Sequence, residues 1–464
     1  MRSVLLVNPY RDYTRYLSPA LARLACCTAT LENLEEVWQP ADMAYLYSVL
    51  KKSCAVRFLD AHLDRLPAEA IDFRGVDTVV ASTAPYEKWR CTQIFHRHAL
   101  DVLEKARSRG CRTVVYGPHP TVTPEEFAGV DAVIRGEPEA VIEEAVHSEK
   151  TGVFESGFIE DLDALPEPDY SIFDAKRYDA RAVFEGAVRG PVAMLIGSRG
   201  CPYACAFCFQ ALVSRRVRYH TPEYLLSIVG KLRRDRGCRS FVFDDLTFTL
   251  RRDWAMALLD ALEPAGVRFS VSTRVDCLDE ALVRKLASSG CAKIELGVET
   301  ASDDNLALMN KRITWDQVVE AVTMCRKHGI PVVSGFRMVF VPGETRESIE
   351  KMTRACRALG LDVFPNICTP YPQTPLWELG VKEGKIRGGK VHWEDAVLAA
   401  GTVGTGFSRQ EVSAIAERLA WESHRPYLQS VSKYIRTYGC GKLFGKMFRT
   451  MGARLRGKGK LPTA

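Results

Sequence analysis

The chain has 464 residues, 47% of them hydrophobic and 26% charged, the balance of an ordinary folded protein with room for two to four domains. No run of 18 apolar residues occurs, and the apolar stretch in MRSVLLVNPYRDY is too short for a secretory signal. A cytoplasmic protein is therefore expected rather than a membrane-spanning or exported one. The net charge of +6 is uneven: residues 425–464 hold ten Lys/Arg and no acid, so the body is mildly acidic and no basic nucleic-acid face is expected.

In chain order, residues 1–150 alternate apolar runs (SVLLVN, AVRFLD, DTVVAST, RTVVYG, DAVIRG) with helical patterns such as MAYLYSVLKK and FHRHALDVLEKARSRG. That alternation predicts an N-terminal Rossmann-like, doubly wound α/β sheet, whose ligands bind at the carboxyl ends of the strands. Those ends carry Ser82, Thr83, Gly117, His119, Thr121, Gly136 and Glu137. Residues 151–190, with DLDALPEPDY, show no sustained period and are expected to form a linker that packs as a strap. From residue 191 a second series begins, with strands PVAMLIG, SFVFDD, RFSVST, AKIELGVE, VVSGFRMVF and LDVFPNI separated by helical patterns. Six strands are too few for the eight-stranded barrel, so 191–390 is expected to form a partial, TIM-like (β/α)6 barrel. Residues 391–464 are expected to be helical and to end in a basic tail. There KLFGKMFRTMGARLR places Leu443, Phe444, Met447, Phe448, Met451 and Leu455 on one stripe, suited to an anionic membrane surface or to capping the barrel.

Of 15 cysteines only three cluster, in Gly200-Cys201-Pro202-Tyr203-Ala204-Cys205-Ala206-Phe207-Cys208, directly after an apolar strand. The other twelve read as small core residues. Three thiolates so spaced can converge on a soft metal centre. Structural zinc needs a fourth regularly spaced ligand, which neither His220 nor Cys238 supplies, so an iron–sulfur cluster is the better reading. A four-iron cluster held by three thiolates leaves one iron open.

The CxxxCxxC spacing, with Phe207 before the last cysteine, resembles the signature of radical S-adenosylmethionine (SAM) enzymes. That resemblance implies a [4Fe-4S] cluster on Cys201, Cys205 and Cys208 whose open iron chelates SAM, and reductive cleavage to a 5′-deoxyadenosyl radical. Leu296-Gly297-Val298-Glu299 is similar to the family segment whose carboxylate contacts the SAM ribose. Val341-Pro342-Gly343-Glu344-Thr345 is similar to its adenine-side turn. Pro370-Tyr371-Pro372-Gln373-Thr374-Pro375-Leu376 resembles a third motif, with Gln373 in place of the usual Gly. Arg274 and Arg337 are candidates to pair with the SAM carboxylate, and Asp245, ending the second strand, is a candidate to face SAM or substrate, whereas Asp244 reads as an ion-pair partner. Cys368 and Tyr371 read as packing residues or substrate contacts.

Residues 1–150 and the strap resemble the cobalamin-binding domain upstream of the barrel in one radical SAM subfamily, through Tyr116-Gly117-Pro118-His119-Pro120-Thr121, Gly136-Glu137-Pro138-Glu139 and DLDALPEPDY. The resemblance thus covers residues 1–390. It implies a methyltransferase that joins an unactivated substrate carbon to the methyl group of methylcobalamin, with a small-molecule substrate and an external electron donor such as flavodoxin or ferredoxin. No histidine ligand to cobalt is recognisable, and Asp60-Ala61-His62 reads as a chance match to that motif. A radical ring rearrangement or cyclisation with the same cofactors, a degenerate sheet that only shapes the pocket, and a non-catalytic cobalamin or iron–sulfur module remain as alternatives. Methylthiotransfer is disfavoured, because the amino-terminal region lacks a second cysteine trio.

Overall fold

A computed structural model of the chain describes residues 1–10, 38–84, 96–175, 177–178, 180–209 and 215–423. The amino-terminal strands β1 (Arg2–Asn8), β2 (Cys54–Asp60), β3 (Thr78–Ser82), β4 (Arg112–Tyr116), β5 (Ala132–Gly136) and β6 (Gly152–Gly157) form a parallel sheet in the order β2-β1-β3-β4-β5-β6. Side chains alternate between its faces. Leu5, Val7, Val79, Val115 and Val133 join one apolar cluster, and Val4, Leu6, Val80, Val114 and Ile134 join another.

Among the helices described beside these strands are α1 (Ala41–Leu50), α2 (Arg97–Ser108), the short α3 (Pro118–Val122) and α4 (Ile142–His147). Helix α2 adds Ala99, Val102 and Leu103 to the first cluster, while α1 and α4 add Met43, Leu46, Val49 and Ile142 to the second. Each fully buried aliphatic side chain contributes about 1.5–3 kcal/mol. The order reverses at β1, between β2 and β3, which places the ligand crevice of such a sheet at the carboxyl ends of β1 and β3.

Strand β6 corrects the expectation for 151–190. Its burial alternates only weakly, because it is an edge strand paired with β5 alone. The strap proper therefore follows residue 157. It binds the sheet through Asp169 N–H to the Ala44 carbonyl (3.2 Å) and Tyr178 Oη to Asp60 Oδ2 (2.7 Å). It binds the barrel through Tyr170 Oη to the Met194 carbonyl and Asp163 to His220 Nδ1 (2.7 Å). Burial pushes His220 down to about 4.

The second sheet has the order β14-β13-β12-β11-β10-β7, all parallel. Its strands are β7 (Val192–Leu195), β10 (Ser240–Phe243), β11 (Arg268–Thr273), β12 (Cys291–Glu299), β13 (Val332–Val339) and β14 (Asp362–Ile367), and these are the six expected. A two-stranded antiparallel ladder, β8 (Ser198–Arg199) with β9 (Arg218–Tyr219), interrupts the first βα unit. Outside the barrel strands lie α5 (Pro222–Arg236), α6 (Arg252–Leu262), α7 (Glu280–Ser288), the short α8 (Asp303–Leu308), α9 (Trp315–Lys327) and α10 (Arg346–Ala358). Thr221, Asp279, Thr314 and Thr345 cap α5, α7, α9 and α10, each accepting from a backbone N–H of the first turn. Among the described residues β7 and β14 do not pair, so the barrel is open. Helices α11 (Pro375–Lys382), α12 (Trp393–Ala399) and α13 (Arg409–Ser423) follow. The basic amphipathic tail lies outside the described residues. No described helix is long and apolar enough to cross a membrane.

Asp60 also accepts from Asn8 Nδ2 (3.0 Å) and Leu63 N–H (2.9 Å), so Tyr178 completes a buried carboxylate knot at the end of β2. Tyr178→Phe is expected to lower unfolding free energy by about 1–3 kcal/mol. Urea denaturation measures this, and an unchanged midpoint contradicts the strap's role.

Candidate active site around the cysteine loop

The loop bearing Cys201, Cys205 and Cys208 leaves the carboxyl end of β7 and is bracketed by the β8–β9 ladder. Among the described residues, the 18-residue stretch 200–217 between β8 and β9 makes no ladder of its own, so other elements must hold it. Asp245, fully buried at the end of β10, accepts from Gly197 N–H (3.1 Å) and Ser198 Oγ at the loop's entry. Ala206 N–H donates to the Met309 carbonyl (2.9 Å), Asn310 Nδ2 to the Ala204 carbonyl (2.8 Å), and Leu376 N–H to the Ala206 carbonyl (3.3 Å). Phe207 packs against the barrel core half-buried, and the Phe209 ring centre lies 5.6 Å from that of Tyr371, tilted, and 5.6 Å from that of Trp393, edge to face.

Cys205 is buried, and Cys201 and Cys208 are half-buried. Desolvation pushes the Cys201 thiol up, against the pull of Arg274 and Lys311. Arg274 lies across the Tyr203 ring (3.8 Å from its centre) and brings Nη1 to 3.9 Å from Cys205 Sγ. The rest of its fork binds Asp276 (2.8–2.9 Å) and the Lys311 carbonyl (2.7 Å). Arg274 is thus placed at the thiols, with its paired donors already engaged. Among the described residues no three His, Cys, Asp or Glu side chains, the loop thiols included, come close enough to share one metal ion. Three soft donors beside two buried cations suit an anionic iron–thiolate cluster.

The cations are themselves held by acids. Glu299 ends β12 on a left-handed backbone (φ 63°), at a register shift between Gly297 and Glu299. Its Oε1 is 2.7 Å from Lys311 Nζ. A Cβ on Gly297 would stand 2.7 Å from that ammonium, so a larger residue there would push the end of the Lys311 side chain aside. Sequence reasoning missed Lys311. It lies in a turn with left-handed Asn310 and Arg312, and no periodicity or spacing marks it.

Arg337 is a correction. Its guanidinium donates to the Ile349 carbonyl (2.8 Å) and Thr353 Oγ1 (2.9 Å) of α10, because it shares strand parity with the helix-facing Val339. Glu344 accepts from Phe340 N–H and Val341 N–H (3.3 Å) through Oε2, while Oε1 is buried without a partner; desolvation pushes the carboxyl up to about 7. Cys368 is buried close enough to Glu344 and Glu299 for both charges to raise its thiol further.

On the amino-terminal sheet, Ser82, Thr83 and Gly117 come together at the ends of β3 and β4. Gly117 has φ 124°, and a Cβ there would meet Thr83 Oγ1 at 2.5 Å. Thr83 Oγ1 is buried and unpartnered. Thr121 Oγ1 donates to the Gly117 carbonyl (2.7 Å) and accepts from Gly136 N–H (3.2 Å), clipping the two turns together. His119, read from sequence as a ligand contact, is fully buried with its ring centre 4.4 Å from that of Trp393 in α12, whose indole N–H bonds Thr123 Oγ1 (2.9 Å). Glu137, also read as a ligand contact, is engaged elsewhere: both its oxygens bind Arg218 (2.6 and 2.7 Å) in β9.

Residues 195–356 match the Radical SAM superfamily. An uncharacterized methyltransferase of Pyrococcus horikoshii is 28% identical over 372 residues, covering 74% of this chain and 78% of its own. The anaerobic magnesium-protoporphyrin IX monomethyl ester cyclase of Cereibacter sphaeroides is 27% identical, covering 74% of this chain; the match spans 60% of the cyclase's length. The fold is similar to that of the cobalamin-dependent S-adenosylmethionine radical enzyme OxsB, solved with aqua-cobalamin bound (TM-score 0.66, 14% identity, 98% of this chain and 71% of that one). The matched residues take in the three-cysteine loop and most of the barrel, so that part of the chain is a radical SAM domain. A domain of that kind implies a [4Fe-4S] cluster and SAM, and the thiol, cation and carboxylate set fits both.

Lys311→Met leaves Glu299 as an uncompensated buried charge and is expected to cost about 3–5 kcal/mol in chemical denaturation; a loss below 1 kcal/mol contradicts the pairing. Glu344 is protonated more readily folded than unfolded. Its stabilisation is therefore full at low pH and is lost as pH rises from about 4.5 through about 7. Wild type is expected to lose up to about 3 kcal/mol relative to Glu344→Gln between pH 5 and pH 8. Parallel pH–stability curves would contradict this.

Proposed function

We propose that the chain is a cobalamin-dependent radical SAM methyltransferase that alkylates an unactivated carbon of a small molecule. The observation that carries this reading is the joining of the cationic three-thiol loop to a Rossmann-like sheet whose carboxyl edge reaches the same ladder that frames the loop. The methyltransferase relative and the similarity in fold to the cobalamin-dependent enzyme support it.

Cys201, Cys205 and Cys208 would hold the cluster, Glu299 and Gly297 the SAM side of the barrel mouth, and Ser82, Thr83, Gly117 and Thr121 the cobalamin side. Bound there, cluster and SAM supply one-electron reductive cleavage of a carbon–sulfur bond, and cobalamin supplies a transferable methyl group. The chain's own residues keep these groups in register. Arg274 and Lys311 offset the anionic thiolates. Asp276 and Glu299 pair those cations and hold them in place. The apolar walls around Phe207, Phe209, Tyr371 and Trp393 exclude water. A flavodoxin- or ferredoxin-type protein would supply the electron. A second reading, radical ring closure with the same cofactors, draws on the cyclase relative.

Anaerobically reconstituted protein, given SAM and dithionite, is expected to form methionine and 5′-deoxyadenosine. The triple variant Cys201→Ala, Cys205→Ala, Cys208→Ala should hold no cluster iron and lose that activity at least a hundredfold. With methylcobalamin and candidate substrates, a mass gain of one methyl group favours methyl transfer, and an unmethylated isomer or cyclised product favours ring closure. Equal SAM cleavage by the triple variant would overturn both.

A further inference from the structure

The motif Gly136-Glu137-Pro138-Glu139 is left without a ligand role once Glu137 is found on Arg218. Its partners explain it. Arg199 and Arg218 are directly opposite residues of the β8–β9 ladder, so two guanidiniums project from the same face of a two-rung hairpin. Arg218 is buried and Arg199 is largely covered, their side chains 4% and 13% exposed. Like charges directly opposite destabilise such a pair, and burial removes the water that would screen them. The hairpin therefore closes only if anions are brought to it.

The amino-terminal sheet brings two. Glu137 binds Arg218 through both oxygens (2.6 and 2.7 Å) and reaches Arg199 at 3.8 Å; Glu139 binds Arg199 at 2.7 Å. Ile159 N–H (2.8 Å) holds the Glu137 carboxylate from behind, and the Ile159 carbonyl accepts from Arg218 (2.7 Å). Arg199 also lies over the ring of Tyr45 of α1 (5.4 Å), whose hydroxyl is 3.1 Å from His220 Nε2, the residue after β9. Apart from the Ile159 N–H to Glu137 bond, which stays on the amino-terminal side, these contacts cross from the amino-terminal domain or the strap to β8, to β9 or to the residue after β9. Cys201 is two residues beyond Arg199.

We propose that Glu137 and Glu139 are positioning residues for the cysteine loop: through Arg218 and Arg199 they clamp the loop's hairpin to the carboxyl edge of the amino-terminal sheet. The spacing between that edge and the three thiols is then fixed by a buried two-plus-two charge set. This use of the thiols rests on the radical SAM reading.

The test uses the full chain with Glu139→Leu and Arg199→Met together, which removes one cation and one anion and leaves no new uncompensated charge, so the fold is expected to survive. In metal-free protein, amide hydrogen exchange at Ser198, Arg199, Arg218 and Tyr219 is expected to accelerate at least tenfold. After anaerobic reconstitution, 5′-deoxyadenosine formation from SAM under dithionite is expected to fall at least tenfold. If the variant folds and either readout stays at the wild-type value, the proposal is overturned, because loosening without consequence, or loss without loosening, is not positioning. Wild-type protein that fails to cleave SAM sinks the radical SAM reading instead; unchanged exchange would still overturn the clamp. Should the double variant not fold, Glu139→Gln, which keeps an acceptor for Arg199, is read in the same way.

Discussion

Three thiols must be presented in fixed positions by a loop that has no hydrogen-bonded ladder of its own, and the rest of the molecule is arranged around that requirement. Between β7 and the loop, Gly197 and Ser198 are both bound by the buried Asp245, which follows β10. The turn at Met309 and Asn310 stitches the middle of the loop from the far side of the barrel. Parallel strands make this convergence possible, because every βα connection opens on the same end of the sheet.

Electrostatics sets the second layer. Thiols that bind iron must give up protons, and burial alone raises their pKa, as it does for Cys201. Arg274 and Lys311 lower that barrier from inside the protein. Unpaired buried cations would themselves be costly, so Asp276 and Glu299 are placed within hydrogen-bond distance of them. The site is a chain of alternating charges, and a neutralisation anywhere along it is felt at the thiols.

Much of this was legible in the sequence. The six barrel strands are short runs rich in apolar residues, set between helical patterns, and the cysteine spacing stands out by itself. What was not legible follows from physics that sequence pattern does not encode. Strand β6 was hidden because an edge strand with exposed Val153 and Glu155 has little apolar period. The β8–β9 ladder is two residues long, too short for any period. Lys311 acquires meaning only when Gly297, fourteen residues earlier, leaves space for it. Glu137 has the residue type of a ligand contact and of an ion-pair partner alike, and only the arrival of Arg218 decides between them. For Arg337, strand parity held the answer: residues 335, 337 and 339 share one face, and that face meets α10.

The account stands on a cluster with one iron left free for SAM. Its most direct measurement is electron paramagnetic resonance of the anaerobically reconstituted, dithionite-reduced protein, recorded before and after SAM is added. The account predicts a reduced four-iron signal whose g-values and line shape shift on SAM addition. A signal that SAM leaves unaltered, or reduced protein with no cluster signal at all, would contradict it.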